Sequence, residues 1–346
     1  MAIYLVTGGC GYLGSRLVSH LIERGHYVRV LDNLSHGIPV SASDCMELNV
    51  GDVCNAKTVE QFMQDVDGCF HLADMSEYGF DKNNFRDIKA TLTGGFNVFS
   101  AAAKTKTKVV YVSSSAVYGD NAELPLSEYA EPCPLTPYAA DKRALEIHAK
   151  VASLMEGVQT VGLRLFNVYG ERYEHEYQSR DVVTQFIMNA LQGKSMTIYG
   201  DGEQSRDYVH VDDAVKFLMA AMDYSSRIPD IFNICSGEGV TVNALAQRIM
   251  CLANAHVAVN HKTSRSGDIY GSVGCPAKAA EKLNCSTSIS LNKGLSQLIA
   301  FYRKQLGVEM AQPLSPFTGV AEAWQRVDDS FMRDTPRLDD YSAARF

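Results

Sequence analysis

A glycine-rich turn near the start of the chain constrains the fold more than any other feature. The segment IYLVTGGCGYLGSRLV (residues 3–18) places glycines at 8, 9, 11 and 14 between an apolar strand and an apolar helix. Glycine weakens regular structure, so four of them at such a turn indicate tight bending or close approach to a ligand. A strand, a glycine turn and a helix start in this order are typical of a fold that binds the pyrophosphate of a dinucleotide.

The next predicted strand identifies the dinucleotide. It spans Tyr27–Leu31 and ends at Asp32, whose carboxylate can accept hydrogen bonds from both hydroxyls of an adenosine ribose. A carboxylate there would repel a 2′-phosphate, so the sequence predicts NAD rather than NADP. The predicted cofactor contacts are Gly8, Gly11, Tyr12, Leu13, Gly14, Asp32, Asn33, Asp52, Val53, Leu72 and Ala73.

Short apolar strands alternate with amphipathic helices through the first 170 residues. The predicted strands are Ile3–Val6, Tyr27–Leu31, Met46–Asn49, Cys69–Leu72, Val109–Ser113 and Thr160–Phe166. The predicted helices between them are Tyr12–Arg24, Thr58–Gln64, Gly94–Lys104 and Tyr138–Met155. This alternation predicts an α/β fold with a doubly wound parallel sheet of the Rossmann type. After residue 170 the pattern is less regular.

Composition and charge exclude several classes of protein. A net charge of -8 argues against general binding to nucleic acid or to membrane surfaces. We find no apolar run long enough to span a membrane and no signal-peptide pattern. Nine cysteines lack C-x-x-C spacing and nine histidines lack H-x-x-x-H spacing, so we expect reduced cysteines, no metal site and a cytoplasmic protein.

A second group of residues, Ser114, Tyr138 and Lys142, has side chains suited to catalysis. Tyr138 and Lys142 lie four residues apart and therefore share one face of a helix, where the lysine charge favours the phenolate of the tyrosine. Ser114 ends an apolar strand in the segment SSSAVYG (113–119), at the edge where ligands bind in parallel sheets. Taken singly, a solvated helix face explains the Tyr/Lys pair, and a serine-rich turn explains the serines.

Nine motifs occur together in one order over about residues 3 to 305. They are TGGCGYLG (7–14), LDNLSHG (31–37), HLA (71–73), SSSAVYG (113–119), TPYAADK (136–142), LRLFNVYG (163–170), GDGEQSRDYVHVDDA (200–214), FNICSGEGVT (232–241) and RSGDI (265–269). With them the chain resembles the extended short-chain dehydrogenase/reductase family of nucleotide-sugar epimerases and dehydratases. The resemblance implies that Ser114, Tyr138 and Lys142 are catalytic. According to the resemblance, Tyr138 is the general base and also contacts NAD, and Lys142 tunes the base and binds a ribose of NAD.

The resemblance also implies a reaction. Members share oxidation of the sugar at C4 to a 4-keto intermediate, and further acids then decide the product. The 4,6-dehydratases carry Asp-Glu after the catalytic residue and the nucleotide-glucuronate decarboxylases usually carry a glutamate, whereas this chain has Ser115 and Ala116. We therefore expect a 4-epimerase. A C4 dehydrogenase or 4-ketoreductase is the alternative, a 4,6-dehydratase is less favoured, and a dinucleotide-sensing binding protein is the non-enzyme alternative.

The substrate side is also inferred from the resemblance. Asn167, Arg206, Arg265 and Asp268 match positions around the nucleotide diphosphate, with Ser114 at the sugar, and the small Ser272 leaves room for an N-acetyl group. The expected substrate is a UDP-hexose, hexosamine or hexuronate. We expect an NAD-binding domain over residues 1–170 and 208–236, a smaller, discontinuous nucleotide-sugar-binding domain over 171–207 and 237–325, and a tail over 326–346. Family members commonly form a homodimer through helices that match Thr93–Lys104 and Tyr138–Met155.

Overall fold

A seven-stranded parallel sheet lies at the centre of the structure, in the order β3-β2-β1-β4-β5-β6-β10. This computed structural model describes residues 1–35, 37, 43–74, 90–121, 123–171, 181–226, 228–264 and 268–307. The strands are β1 (Ile3–Thr7), β2 (Tyr27–Asp32), β3 (Met46–Val50), β4 (Gly68–His71), β5 (Lys108–Ser114), β6 (Thr160–Leu165), β7 (Asn167–Tyr169), β8 (Met196–Tyr199), β9 (Ser205–His210), β10 (Asp230–Ile234), β11 (Gly239–Thr241), β12 (Val259–Lys262) and β13 (Gly271–Ser272). The strand order confirms the predicted Rossmann-like, doubly wound sheet.

Helices cover both faces of this sheet. The helices of the described residues are α1 (Tyr12–Glu23), α2 (Ala56–Phe62), α3 (Gly95–Thr105), α4 (Pro137–Glu156), α5 (Val182–Leu191), α6 (Val211–Asp223), α7 (Val242–Ala253), α8 (Ala277–Leu283) and α9 (Leu291–Leu306). A π-helical turn, Ala90–Gly94, leads into α3, and a 3-10 turn, Ser115–Tyr118, follows β5. One apolar layer joins the sheet to α1 and α6, and a second joins it to α2, α3 and α4. Parallel strands buried on both faces explain the continuous apolar runs in the sequence.

A smaller group of elements lies outside the main sheet, and in sequence it is interrupted by α6 and β10. Strands β7, β11 and β13 all pair with β9, and β8 pairs with β12. Helices α5, α7 and α9 pack on one another around a separate apolar cluster that includes Phe186, Leu245 and Leu298. Most of this group falls within residues 171–207 and 237–325, where the sequence predicts a nucleotide-sugar-binding domain, and that domain stays a prediction. The predicted tail lies outside the described residues.

Local contacts explain where the elements differ from the sequence prediction. Helix α2 begins two residues before the predicted start because the Asn55 side chain accepts hydrogen bonds from the backbone N–H groups of Lys57 and Thr58. The predicted strand Thr160–Phe166 ends one residue earlier, at Leu165, as β6. After Phe166 the chain continues as β7, which pairs with β9 instead of the main sheet. Among the described residues no helix is long and apolar enough to cross a membrane.

A buried ion pair fastens α4 to the central sheet. The two carboxylate oxygens of Glu146 on α4 lie 2.8 Å from Nε and Nη2 of Arg164 on β6. Ser113 on β5 donates a hydrogen bond of 2.6 Å to the same carboxylate. The third guanidinium nitrogen donates to the hydroxyl of Tyr118 at 2.8 Å. Burial raises the pKa of the Glu146 carboxyl, but Arg164 outweighs that effect and the pKa lies below its usual value.

We predict that Glu146→Ala lowers the free energy of unfolding by about 3–5 kcal/mol, because it leaves the Arg164 guanidinium buried without a counterion. Chemical denaturation followed by circular dichroism measures the change. The control is Glu60→Ala, which removes a carboxylate from an exposed pair with Lys104 and should cost about 1 kcal/mol or less. Equal losses in the two variants would show that the buried pair does not stabilise the fold.

Candidate active site

The glycine turn brings three segments of the chain into close contact. Gly8 has a φ of +70°, donates its N–H to Leu31 O at 2.9 Å, and accepts from Gly11 N at 3.1 Å. A Cβ at Gly8 would lie 2.7 Å from the backbone nitrogen of Ala73, and a Cβ at Gly14 would overlap the carbonyl oxygen of Gly8. The ends of β1, β2 and β4 therefore meet at this turn, as its glycines predict.

Helix α1 begins at this turn with an open N-terminus. Gly11 is its N-cap and provides no side chain to satisfy the first backbone N–H groups. Over Tyr12–Glu23, which the structure describes in full, the first turn has no acidic residue. The predicted contacts Tyr12 and Leu13 lie in that turn. The backbone N–H groups at a helix N-terminus and the positive end of the helix dipole fit a pyrophosphate.

Asp32 lies at the end of β2, beside the glycine turn. Its two carboxylate oxygens accept hydrogen bonds from the backbone N–H groups of Cys10 at 3.0 Å and Leu34 at 2.8 Å. The residue is only 8% exposed. A carboxylate oxygen can accept more than one hydrogen bond, so these two bonds orient the group and leave acceptor capacity for two ribose hydroxyls.

The other predicted cofactor contacts fall into two groups. Leu72 and Ala73 donate their backbone N–H groups to the carbonyl and hydroxyl oxygens of Thr7, and so lie against the glycine turn. Asn33, Asp52 and Val53 belong to neighbouring loops. The Asn33 side chain accepts from Ser35, the exposed Asp52 carboxylate accepts from the N–H of Cys54, and the carbonyl of the buried Val53 accepts from Asn97.

Tyr138 and Lys142 occupy the first two turns of α4. The Thr136 hydroxyl caps this helix by accepting from Ala139 N at 3.2 Å, and Pro137 is its first residue, which explains the TPY sequence. The Lys142 Nζ lies 5.8 Å from the centroid of the Tyr138 ring. It donates to Val112 O at 2.8 Å and forms an ion pair of 2.6 Å with Asp74. Tyrosine and lysine therefore share one helix face, as their spacing predicts.

Ser114 ends β5 and also begins the 3-10 turn that follows. Its Oγ accepts a hydrogen bond of 3.1 Å from the N–H of Ala116. Neighbouring side chains on a strand point to opposite faces, and Ser113 is accordingly buried against Glu146. Helix α4 packs on both β5 and the 3-10 turn, so Ser114 lies on the element beside Tyr138 and Lys142.

Three of the residues predicted to bind the substrate lie in the four-stranded sheet of β7, β9, β11 and β13, which we call the small sheet. Asn167 on β7 pairs with Tyr208 on β9, and Ser272 on β13 pairs with Arg206 on β9. The Asn167 amide nitrogen donates to Asp207 O at 2.9 Å. Asp268 is exposed and lies before β13, outside the small sheet, and Arg265 lies outside the described residues.

Sequence reasoning assigned no role to Asp207, which organises this sheet. Its buried carboxylate accepts from the N–H and hydroxyl of Ser236 and from the N–H groups of Gly237 and Gly274. Burial raises the pKa of this carboxyl, and the hydrogen bonds act against that rise. Asp207 thus ties β9, which carries Arg206, to the loop after β10 and to the segment after β13. The signal in the sequence is an acid directly before the apolar pair Tyr208-Val209 in the segment SRDYVH.

Sequence reasoning also gave no role to the groups around Lys142. Besides its contact with Lys142, Asp74 accepts a hydrogen bond from the hydroxyl of Thr91. His71 is buried and its Nδ1 lies 2.8 Å from the Thr7 hydroxyl. Burial and the Lys142 charge lower the pKa of His71 to about 3, so the ring is neutral near pH 7. The sequence signal for these groups is a pair of acids: Asp74 directly follows the HLA motif, and Asp141 lies within the Y-x-x-x-K motif.

Comparison with known proteins identifies the relatives of the chain. A sequence model described as the NAD dependent epimerase/dehydratase family matches residues 4–235. A putative UDP-glucose 4-epimerase of Methanocaldococcus jannaschii is 31% identical over 85% of this chain and 96% of its own length. UDP-glucuronic acid decarboxylase 1 of Xenopus tropicalis is 30% identical over 87% of this chain and 72% of its own length.

A solved structure gives the same relationship. The UDP-glucose 4-epimerase of Thermotoga maritima, crystallised with UDP-glucose, superimposes with a TM-score of 0.83 at 31% identity. The match covers 88% of this chain and 99% of that chain. The relatives thus include both epimerases and decarboxylases of UDP-sugars.

We predict that Gly14→Ala and Gly11→Ala separate two roles of glycine in the turn. Gly14→Ala should lower the free energy of unfolding by about 1–3 kcal/mol because its methyl group overlaps the backbone of Gly8, and it should also reduce dinucleotide binding. At Gly11 the φ of -73° suits alanine and the nearest atom lies 3.3 Å away. Gly11→Ala should therefore stay near wild-type stability and lose affinity for NAD.

Thermal unfolding and calorimetric titration with NAD measure these two quantities. A Gly11→Ala variant that loses as much stability as Gly14→Ala, or that binds NAD normally, would contradict the assignment of this glycine to the pyrophosphate.

Proposed function

Because this chain belongs to the NAD-dependent epimerase/dehydratase family, we propose that it is a 4-epimerase of UDP-hexoses, UDP-hexosamines or UDP-hexuronates. The turn that follows Ser114 supports this most directly. It continues with Ser115 and Ala116, so this fully described turn has no carboxylate to carry out acid or base chemistry beyond C4.

NAD is the cofactor of this family, and the residues of the turn fit it. The cradle at Gly8 and Gly14 has no room for a Cβ, the N-terminus of α1 has no side-chain cap, and Asp32 presents an oriented carboxylate beside both. When bound, NAD supplies the acceptor and then the donor for the hydride of the sugar C4. The Asp32 carboxylate accounts for the preference over NADP, because it repels a 2′-phosphate.

We assign the proton transfer to Tyr138. A free tyrosine is a poor base near pH 7, but an ammonium group beside it favours the phenolate, and Lys142 provides that charge. Tyr138 then takes the proton of the 4-hydroxyl as the ketone forms and returns it as the ketone is reduced. Ser114 binds the same oxygen and holds it near the base. The 4-keto sugar then rotates in the site, and reduction of the opposite face of its C4 carbonyl gives the 4-epimer with no net change in redox state.

Dehydration and decarboxylation require further groups. A 4,6-dehydratase must protonate the leaving hydroxyl at C6 and remove the proton at C5. The two positions after Ser114, where those enzymes carry acids, have the hydroxyl of Ser115 and the methyl group of Ala116. Decarboxylation of a UDP-hexuronate is the second candidate, because relatives with that activity match the chain over most of its length. The glutamate usual in those enzymes corresponds to Ala116, which favours epimerisation here.

We propose that the small sheet binds the nucleotide sugar. A guanidinium forms paired hydrogen bonds with phosphate oxygens, so Arg206 is assigned to the diphosphate, together with Arg265. Asn167 and Asp268 complete the predicted contacts. Ser272, which pairs with Arg206, gives the sugar pocket a small side chain and allows an N-acetyl group. UDP is the proposed nucleotide because the Thermotoga maritima enzyme was crystallised with UDP-glucose.

We predict that the purified protein converts at least one UDP-sugar to its 4-epimer, with no stoichiometric change in the NADH absorbance band. Proton NMR of mixtures with UDP-glucose, UDP-N-acetylglucosamine and UDP-glucuronate measures the product. Tyr138→Phe should lower kcat by roughly 10²–10⁴-fold. Tyr129→Phe, at a tyrosine that is 86% exposed, is the matched control and should keep full turnover.

The products separate the alternatives. A UDP-pentose and carbon dioxide from UDP-glucuronate would identify a decarboxylase, and stoichiometric NADH would identify a dehydrogenase. No 4-epimer from any nucleotide sugar, or full turnover by Tyr138→Phe, would overturn the proposal.

We also propose that the protein is a homodimer. Helix α4 exposes Ile147, Val151, Leu154 and Met155, and α3, which packs beside it, exposes Phe96. Large apolar side chains exposed together on adjacent helices are typical of an interface. The expected assembly pairs α3 and α4 with the same helices of a second copy.

We predict that Val151→Glu shifts the protein from dimer to monomer, because a buried carboxylate without a partner opposes association. Analytical ultracentrifugation measures the shift. Ile228→Glu places the same charge on an apolar side chain that is 66% exposed in the segment between α6 and β10, and should leave the dimer intact. A wild-type monomer, or a Val151→Glu dimer, would refute this interface.

A further inference from the structure

The ammonium group of Lys142 is buried together with a counterion. The residue is 1% exposed, and a buried charge without a partner is strongly unfavourable. Two of its three N–H donors are directed to Val112 O at 2.8 Å and to the Asp74 carboxylate at 2.6 Å. Asp74 therefore supplies the negative charge that balances Lys142, and one donor remains for a cofactor hydroxyl.

Asp74 is itself held in place. Its other carboxylate oxygen accepts a hydrogen bond from the hydroxyl of Thr91, which is buried in the π-helical turn before α3. One oxygen thus binds Thr91 and the other binds Lys142. Both partners restrict rotation of the carboxylate, so the ion pair has a fixed position relative to α4.

Two other titratable groups interact with this pair, and Ser114 lies on the strand that packs against α4. Asp141 lies beside Lys142 on α4, and burial followed by the charge of Asp74 raises the pKa of its carboxyl. His71 on β4 is neutral near pH 7, because burial and Lys142 lower its pKa to about 3. Ser114 on β5 is uncharged. Among the described residues around Tyr138, Asp74 is therefore the carboxylate in direct contact with the cation that acts on the base.

We propose that Asp74 is a positioning residue that sets the proton affinity of Tyr138 by fixing Lys142 and partly neutralising its charge. The proposal rests on the role of Tyr138 as the base. An ammonium alone stabilises the phenolate strongly, whereas an ammonium paired with a carboxylate acts as a dipole with a weaker field. Tyr138 consequently holds its proton more tightly than it would beside Lys142 alone.

This balance suits a reaction that uses one base in both directions. In the proposed epimerisation Tyr138 accepts the 4-hydroxyl proton and later returns it to the same oxygen. A phenol with too low a pKa gives a phenolate that accepts the proton poorly, and one with too high a pKa returns the proton poorly. The most effective pKa therefore lies near the working pH. Lys142 shifts the tyrosine towards that range, and Asp74 limits the size of the shift.

Direct titration of Tyr138 tests the proposal. In NAD-loaded protein labelled with ¹³Cζ-tyrosine, the Tyr138 signal is assigned by its absence in Tyr138→Phe, and its chemical shift is followed against pH. We expect Asp74→Asn and Asp74→Ser to lower the titration midpoint of Tyr138 by roughly one pH unit, from the removal of one charge at an effective dielectric constant of about 20–40. Asp74→Glu, which keeps the charge, should return the midpoint towards the wild-type value.

The control removes an acid far from the site. Asp65→Asn acts on an exposed residue with a φ of +54°, a conformation that asparagine also adopts, and should leave the midpoint unchanged. An unchanged or raised midpoint in the folded neutral variants at Asp74 would overturn the proposal. The titration needs no substrate, so it can fail while the epimerase assay succeeds, and the assay can fail while the titration succeeds.

Discussion

The buried pair between Glu146 and Arg164 fixes the helix on which the proposed chemistry depends. Tyr138, Lys142 and Glu146 are spaced by four residues along α4, so the base, the cation and the anchor lie on one face. The anchor also binds Ser113, the strand neighbour of Ser114. Because the pair is bidentate and buried, it fixes the rotation of α4 as well as its distance from the sheet.

The parts of the fold that were predictable are those with local signals. The glycine turn, the strand ending at Asp32 and the Y-x-x-x-K spacing are each patterns of residues that lie within a few positions of one another in the sequence. The order of the central sheet follows from the alternation of strands and helices. Capping adjusted the boundaries by one or two residues, as Asn55 does for α2, because a cap depends on a single side-chain hydrogen bond.

The parts that the sequence did not predict depend on contacts between distant segments. Strand β13 has two residues and pairs with β9, and β9 has only two consecutive apolar residues, Tyr208 and Val209. Asp207 reads as one more surface acid until its four hydrogen-bond donors from two loops are known. The contact between Asp74 and Lys142 joins two motifs that each look complete without the other.

The positions of the acidic residues near Ser114 and Lys142 bear on which reaction the site can catalyse. Enzymes that eliminate water after oxidation at C4 need an acid beside the catalytic serine or threonine, and this chain has Ser115 and Ala116 there. Two carboxylates, Asp74 and Asp141, instead lie beside Lys142, and Asp74 is in direct contact with the ammonium and with Thr91. An acid in that place modulates the proton affinity of Tyr138. In the proposed roles, Tyr138, Lys142 and Asp74 together support the reversible exchange of one proton at one hydroxyl, which is the chemistry that inversion at C4 requires.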